Sequence, residues 1–336
     1  MQASPIFVVG TGRCGSTLLS NMMNLHPSIL SLSEFFVSLS PYGFANKSLD
    51  GRSFWEMLST PRAKVDLMMK HRIGIPEFLY DSNEGVPPIL LMTLPHLTDE
   101  PEVLYEEVKA YVLALPEDAI SNQYIRLFEY LKAKFNKDIW VERSGGSLRF
   151  IAKLAELYPN AKFVHMYRDG RECAMSMRRH NAFRLTMVQS LVKEAIGKDP
   201  YLDSISEAEA ERLGELSKLL PDRFDREAFL QLQIPIERFG SLWSSQIVQG
   251  VQYLSQIPSS NVLHLSYENL LSNPVVELRA FMQFVLPDQE DQEAYIHDAA
   301  KLVQTDKKES WRGLPEEEQV RLNRACKLGL RLLKYA

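Results

Sequence analysis

Pro5-Ile-Phe-Val-Val-Gly-Thr-Gly-Arg-Cys-Gly-Ser-Thr-Leu-Leu19 is the stretch on which the reading of this chain turns. Ile6 to Val9 form a short apolar run rich in β-branched residues, which predicts a buried strand. The run stops at Gly10, passes through a glycine-rich loop and restarts as a helix at Ser16. Gly10, Gly12 and Gly15 allow sharp turns and a close approach of backbone to a ligand. Ser16 and Thr17 fall where a helix leaves its first N–H groups unpaired. A strand–loop–helix corner of this kind suits a phosphate or sulfate. The spacing from Gly10 to Gly15 matches the nucleotide-kinase loop G-x-x-x-x-G-K-[ST], but Ser16 stands in the place of the lysine. Arg13 is the only cation in the loop, so the expectation is an anion handled without a metal.

Outward from this corner, short apolar runs alternate with helical spacing. Strands are predicted near 28–32, 139–142, 161–167 and 261–266, which gives a parallel sheet covered on both faces. Between them lie a long, proline-interrupted and mainly helical stretch, about 37–137, with poor strand signals, and a second helical insertion, about 184–236. The expectation is one domain over 1–336: a core of about 5–36, 139–180 and 240–336, plus a cap and an insertion. A second anion corner is expected at Tyr167-Arg168-Asp-Gly-Arg-Glu-Cys-Ala-Met-Ser176. There Arg168 ends a strand, where open α/β sheets bind ligands, and Ser176 follows eight residues later in a helix.

The totals set limits. A chain of 336 residues with a net charge of −5 does not read as a nucleic-acid binder. The three cysteines are too few and too scattered for a disulfide framework and have no metal-ligand spacing. No apolar run has the length of a membrane span. The first strand begins near residue 5, which is read as leaving no room for a signal peptide, so a cytoplasmic protein is expected.

The two corners together resemble those of sulfotransferases that use 3′-phosphoadenosine 5′-phosphosulfate (PAPS). His26-Pro27, Trp140-Val-Glu-Arg-Ser144 and Tyr267-Glu268-Asn-Leu-Leu-Ser-Asn-Pro274 are similar to landmarks of that family, in the same order. The resemblance spans about 5–36, 139–180 and 240–285 and implies a P-loop NTPase-like three-layer α/β sandwich with helical cap insertions. It implies that Gly12, Arg13, Cys14, Gly15, Ser16 and Thr17 surround the 5′-phosphosulfate, that Arg168 and Ser176 hold the 3′-phosphate, and that 3′,5′-ADP is the product, with no metal required. The family closes the nucleotide with a late basic loop, for which Arg312, Lys307 and Lys308 are the candidates. Cytosolic members take their base from a Lys-Thr-His segment, which this sequence lacks. Tyrosylprotein sulfotransferases and several bacterial relatives use a glutamate after the first helix, and Glu34 occupies that place. Arg143 is implied to approach the transferring sulfate, and His71, His96 and His180 are rival bases.

Glu142 and Glu268 are expected to orient loops, and Phe239 and Trp243 to be core. Cys14 reads as a small loop residue, with an oxidation-sensitive thiol as the alternative. The aromatics of the cap and the second insertion (Phe35, Phe36, Tyr42, Phe44, Phe54, Trp55, Phe78, Tyr80 and Phe183) suggest a small-molecule acceptor with an apolar body and a hydroxyl: a lipid, a polyketide-like metabolite or a phenol. No basic cleft for an acidic carbohydrate is legible. A P-loop nucleotide kinase or NTPase, and a non-catalytic 3′,5′-ADP binder, stay open as alternatives.

Overall fold

The protein is described by a computed structural model covering residues 4–44, 47–80, 82, 85–289, 292–304 and 310–335. Five segments form the central sheet: β1 (Ile6–Val9), β2 (Ile29–Ser33), β3 (Ile139–Arg143), β4 (Lys162–Tyr167) and β5 (Val262–Ser266). Every pairing is parallel and the order across the sheet is β2-β3-β1-β4-β5. Such strands are covered on both faces, which explains runs without polar alternation; all of β1 and β2 is buried.

The order places the chain's change of direction beside β1. From β1 the chain runs out to β2 and returns to β3, whereas β4 and β5 lie on the other side. The Gly10 loop leaves β1 and the Arg168 loop leaves β4, so both anion corners stand at the carboxyl ends of adjacent strands. This is the switch point at which open α/β sheets hold ligands.

Phe7 is fully buried, with the rings of Phe36, Trp140, Tyr158 and Phe163 about it at centroid distances of 5.3–6.0 Å. Here the expectation for the cap needs correcting. Phe35, Phe36 and Phe54 do not face an acceptor. They are fully or almost fully buried and pack edge-on against Tyr124. The reason is the helix Ile120–Lys134, whose Tyr124, Leu127, Phe128 and Leu131 are buried. Its Phe128 ring lies 4.9 Å from that of Trp140 on β3. The last part of the supposed cap is therefore a layer of the sandwich. The stretch also holds a two-stranded antiparallel ribbon, Ser48–Leu49 with Asp118–Ala119, too short to leave a strand signal in the sequence.

The remaining cap meets the second insertion. Leu67, Met68 and Ile73 share a small core with Leu185, Val188, Val192, Phe224 and Phe229. On the opposite flank the helices Ile236–Leu254 and Glu316–Leu332 pack together around the fully buried Trp243. Gly170, which opens the helix after the Arg168 loop, lies flat against this indole, and a Cβ there would sit inside the ring.

Gly170→Ala therefore overpacks the contact that seats the Arg168 loop. A loss of about 1–3 kcal/mol is expected, read as a lower urea midpoint with an unchanged m-value. An unaltered midpoint would show that Trp243 moves aside freely.

Candidate active site

The loop after β1 is built on left-handed backbone. Gly12, Arg13 and Gly15 have φ of 75°, 56° and 92°. At Gly15 a Cβ would also enter the Tyr267 ring, so only glycine fits. The helix Ser16–Asn24 begins directly after it with no side-chain cap, leaving its end suited to an anion. Gly12, Arg13, Gly15, Ser16 and Thr17 line a cleft of about 1530 Å³ between core and cap. Cys14 does not line it. Its side chain is fully buried in the space that Gly10 leaves, and burial pushes its thiol pKa up. This is the opposite of a reactive thiolate, and only its backbone is left to serve the loop.

The second corner meets the first. Arg13 donates from Nε to Ser176 Oγ at 3.1 Å, and Arg168 Nη1 reaches the Arg13 carbonyl at 3.4 Å. The Arg168 guanidinium lies 4.7 Å from the centre of the Tyr267 ring. Its Nη2 is 3.9 Å from Glu172, whose carboxylate also accepts from Ser310 at 2.6 Å. Arg168 and Ser176 both line the cleft. Of the late basic residues, Lys307 and Lys308 lie outside the described residues. Arg312 is not part of the cleft wall, and its guanidinium lies 4.9 Å from the Trp311 ring. Among the described residues of this stretch, Ser310 reaches the edge of the site through Glu172.

Glu34 stands at the end of β2, at φ 58° and almost fully buried. Its Oε1 accepts from Arg143 Nη1 and its Oε2 from the Gly145 N–H at 2.8 Å. Arg143 also donates to Ser33 Oγ at 2.6 Å. Both Glu34 and Arg143 reach the cleft. A carboxylate has about four acceptor positions, so these two bonds leave room for an acceptor hydroxyl.

Sequence reasoning missed Glu77. This cap residue accepts from Arg13 Nη1 at 2.7 Å and pairs with His180 Nε2 at 2.8 Å. Burial alone would raise its pKa, but the His180 hydrogen bond and charge and the Arg13 charge bring it down to about 2. No spacing signal marks it, because it lies in an irregular stretch between Pro76 and the cap's next helical turn. Of the rival bases only His180 lines the cleft. His71 packs on Phe224, and His96 is bound to Asn24 at 2.8 Å with its pKa lowered to about 4, by burial and then by Arg143.

Glu142 and Glu268 hold loops, as expected. Glu142 accepts from Ser144 Oγ at 2.5 Å and from the Phe36 N–H at 3.3 Å, and Glu268 accepts from the Asp169 N–H at 3.0 Å. Glu142 is fully buried, and its pKa is pushed up to about 8. Burial is the main cause and the Glu34 charge adds to it, against the hydrogen bonds and Arg143.

The model of the sulfotransferase family matches residues 5–224. The chain belongs to the sulfotransferase family. Among solved structures, sulfotransferase STF9 from Mycobacterium avium is similar at 16% identity and a TM-score of 0.47, over 98% of this chain and 76% of that one. The sulfotransferase domain of the Synechococcus PCC 7002 olefin synthase is similar at 14% identity and 0.45, over 97% and 96%. A sulfotransferase from Alicyclobacillus acidocaldarius is similar at 16% and 0.43, over 100% and 96%. A search of curated protein sequences gives no match. Among the described residues no helix is long and apolar enough to cross a membrane.

Glu142 generates a pH prediction. A carboxyl whose folded pKa stands above its unfolded one keeps a proton that the unfolded chain has released. Its stabilising contribution is complete below about pH 4.5 and is lost as pH rises towards 8. Between those values wild-type stability should fall with pH by up to about 1.4 kcal/mol per unit from this group. Chemical denaturation at pH 5 and 8 should show that Glu142→Gln, which keeps the shape without the titration, flattens this slope. Equal slopes in the two proteins would mean that Glu142 is ionised in the fold.

Proposed function

We propose that this sulfotransferase moves a sulfuryl group from PAPS to the hydroxyl of a small, partly apolar acceptor, with Glu34 as general base. One observation carries the reading: Arg13 binds Ser176 and Arg168 reaches the Arg13 carbonyl, so that two anion corners 163 residues apart share one cleft. A ligand with two phosphate-type groups would engage donors from both corners at once, and PAPS is such a ligand. The donor set fits: two guanidinium groups, a hydroxyl and the open end of a helix. Arg168 and Ser176 would take the 3′-phosphate, and Arg13 with the loop N–H groups of Gly15, Ser16 and Thr17 the 5′ end. Cys14 would contribute through its backbone. Ser310 would act on this end only through Glu172, which faces Arg168.

PAPS, when bound, supplies an activated sulfate. The new bond joins the acceptor oxygen to sulfur as the bond from sulfur to the 5′-phosphate oxygen breaks, and 3′,5′-ADP leaves. Glu34 takes the acceptor's proton. Arg143 and the Gly145 N–H fix its carboxylate, so its orientation is set before substrate arrives. Arg13 and the loop amides stabilise the charge that builds on the leaving phosphate. Glu77 holds Arg13 from the cap side, and an incoming anion must share or displace it.

Thermal melts with 3′,5′-ADP, ADP and ATP test the donor. At 100 times its dissociation constant 3′,5′-ADP should add about 2.7 kcal/mol, and ADP much less at equal concentration. Arg168→Ala should weaken 3′,5′-ADP about 10–100-fold. Glu34→Gln should lower turnover about 10²–10⁴-fold with 3′,5′-ADP affinity nearly kept, which also shows that the variant is folded. Equal stabilisation by ATP, or full turnover without the carboxylate, would defeat the reading; nucleotide binding with no turnover on any acceptor would leave a binder.

A further inference from the structure

The cleft holds more cationic groups than the donor chemistry uses. Arg13, Arg143 and Arg168 are faced by Glu77, Glu34 and Glu172. Among the described residues the same wall also carries Lys47, Arg62, Lys64, Arg149, Lys153 and Arg179, with Glu56 and Asp199 as its other carboxylates. Asp199 is occupied by Gln189 Nε2 at 2.8 Å and the Tyr201 N–H at 3.0 Å.

Lys47, Arg62, Lys64 and Arg149 make no salt bridge among the described residues, although the Asp199 charge acts on Lys64 from nearby. Lys64 donates only to neutral oxygens, Thr186 Oγ1 at 2.9 Å and Gln189 Oε1 at 3.1 Å. Arg62 donates from Nη2 to the Met57 carbonyl at 2.7 Å, and its Nε is buried with no partner. Arg149 has the Phe150 ring at 4.5 Å and no ion pair. Lys64 also feels Arg149: burial, then that neighbouring charge, lowers its pKa to about 8. Like charges that meet in a part-enclosed cleft, as Lys64 and Arg149 do, repel one another. They stand together at least cost when an anion joins them. Beside them the wall is apolar, with Phe44, Met57 and Phe78.

We propose that Lys64, Arg149 and Arg62 form an anion subsite for the acceptor. The molecule that offers its hydroxyl to Glu34 carries, at the far end of an apolar body, a carboxylate or phosphate held by these three side chains. This rests on the sulfotransferase reading above and narrows its acceptor to hydroxylated acids. It also revises the expectation that no basic cleft is legible: these six lysines and arginines come from three stretches, 47–64, 149–153 and 179, that meet only in the fold.

The test is calorimetric binding to the protein saturated with 3′,5′-ADP, so that no turnover is needed. The probes are ω-hydroxy fatty acids of eight to sixteen carbons, their methyl esters and the corresponding diol monophosphates. An acid or a phosphate should bind at least tenfold more tightly than the ester of equal length, and which of the two binds better identifies the anion. In Lys64→Met/Arg149→Gln the gap should shrink to about twofold, with 3′,5′-ADP affinity unchanged. Arg149→Gln alone serves if the double variant does not fold, and should at least halve the advantage. A panel in which no anion outbinds its ester, or a gap that survives in the variants, overturns the subsite. Failure to bind 3′,5′-ADP would sink the donor reading separately, and the same acid-to-ester comparison on the nucleotide-free protein would still decide this one.

Discussion

The buried pair of Arg143 and Glu34 ties the end of β2 to the end of β3, and the wall of the cleft is built on that tie. Ser33 and Arg143 are partners in the parallel register of β2 and β3. The Glu34 N–H then bonds the Arg143 carbonyl at 2.7 Å, and the two side chains close the gap above the strand ends. Taking two charges out of water costs several kcal/mol per ion before their attraction repays it. Such a pair is thus weak evidence of stability and better evidence of placement. Glu34 adopts a left-handed conformation that an L residue holds only where its surroundings insist. The insistence comes from three sides: Arg143, the Gly145 N–H, and the helix Phe35–Leu39, whose Phe36 N–H is tied to Glu142.

That placement makes the cleft a meeting of charge from core and cap. The core supplies Arg13, Arg143 and Arg168 at the strand ends. The cap supplies Glu77, which shares its carboxylate between Arg13 and His180. Each of these three arginines is thus opposed by a carboxylate, Glu77, Glu34 or Glu172. The buried carboxyl of Glu142 sits one residue from Arg143 yet points to the Phe36 N–H and Ser144, and burial holds it towards neutrality. Two neighbouring glutamates therefore do different work: the one with a guanidinium partner faces the cleft, and the one without secures the chain.

Much of this frame was legible in the sequence, because it is local. The five core strands are short apolar runs bounded by turn residues, and each stands within about two residues of its expected place. The loop glycines were legible for the same reason: Gly15 must take a conformation and an approach that only glycine permits. The placing of Arg168 and Ser176 beside Arg13 could be read only as a resemblance, since their adjacency depends on strand order. The cap was not legible in detail. Its prolines break every periodic pattern, so the same aromatics could be assigned to a pocket or to a core. The helix Ile120–Lys134 decides it by claiming Phe35, Phe36 and Phe54 for the sandwich, which leaves Tyr42, Phe44, Phe78 and Phe183 to the cleft.

The charge of the cleft was hidden for a different reason. A net charge of −5 is a property of the whole surface, and it limits non-specific attraction to polyanions rather than the potential inside one concavity. Acidic residues crowd the exposed helices, where many pair with nearby lysines or arginines, as Glu207 does with Arg223 and Glu293 with Arg279. Lys47, Arg62 and Lys64 come from the cap, Arg149 and Lys153 from the turn and helix after β3. Nothing in their spacing unites them; the roof formed by the cap and the second insertion does, through the apolar contacts of Leu67 and Met68 with Leu185 and Val188. The parallel sheet thus sets where Arg13, Arg143 and Arg168 stand in the cleft. The roof, whose sequence is least regular, adds Lys47, Arg62 and Lys64 to the same cleft.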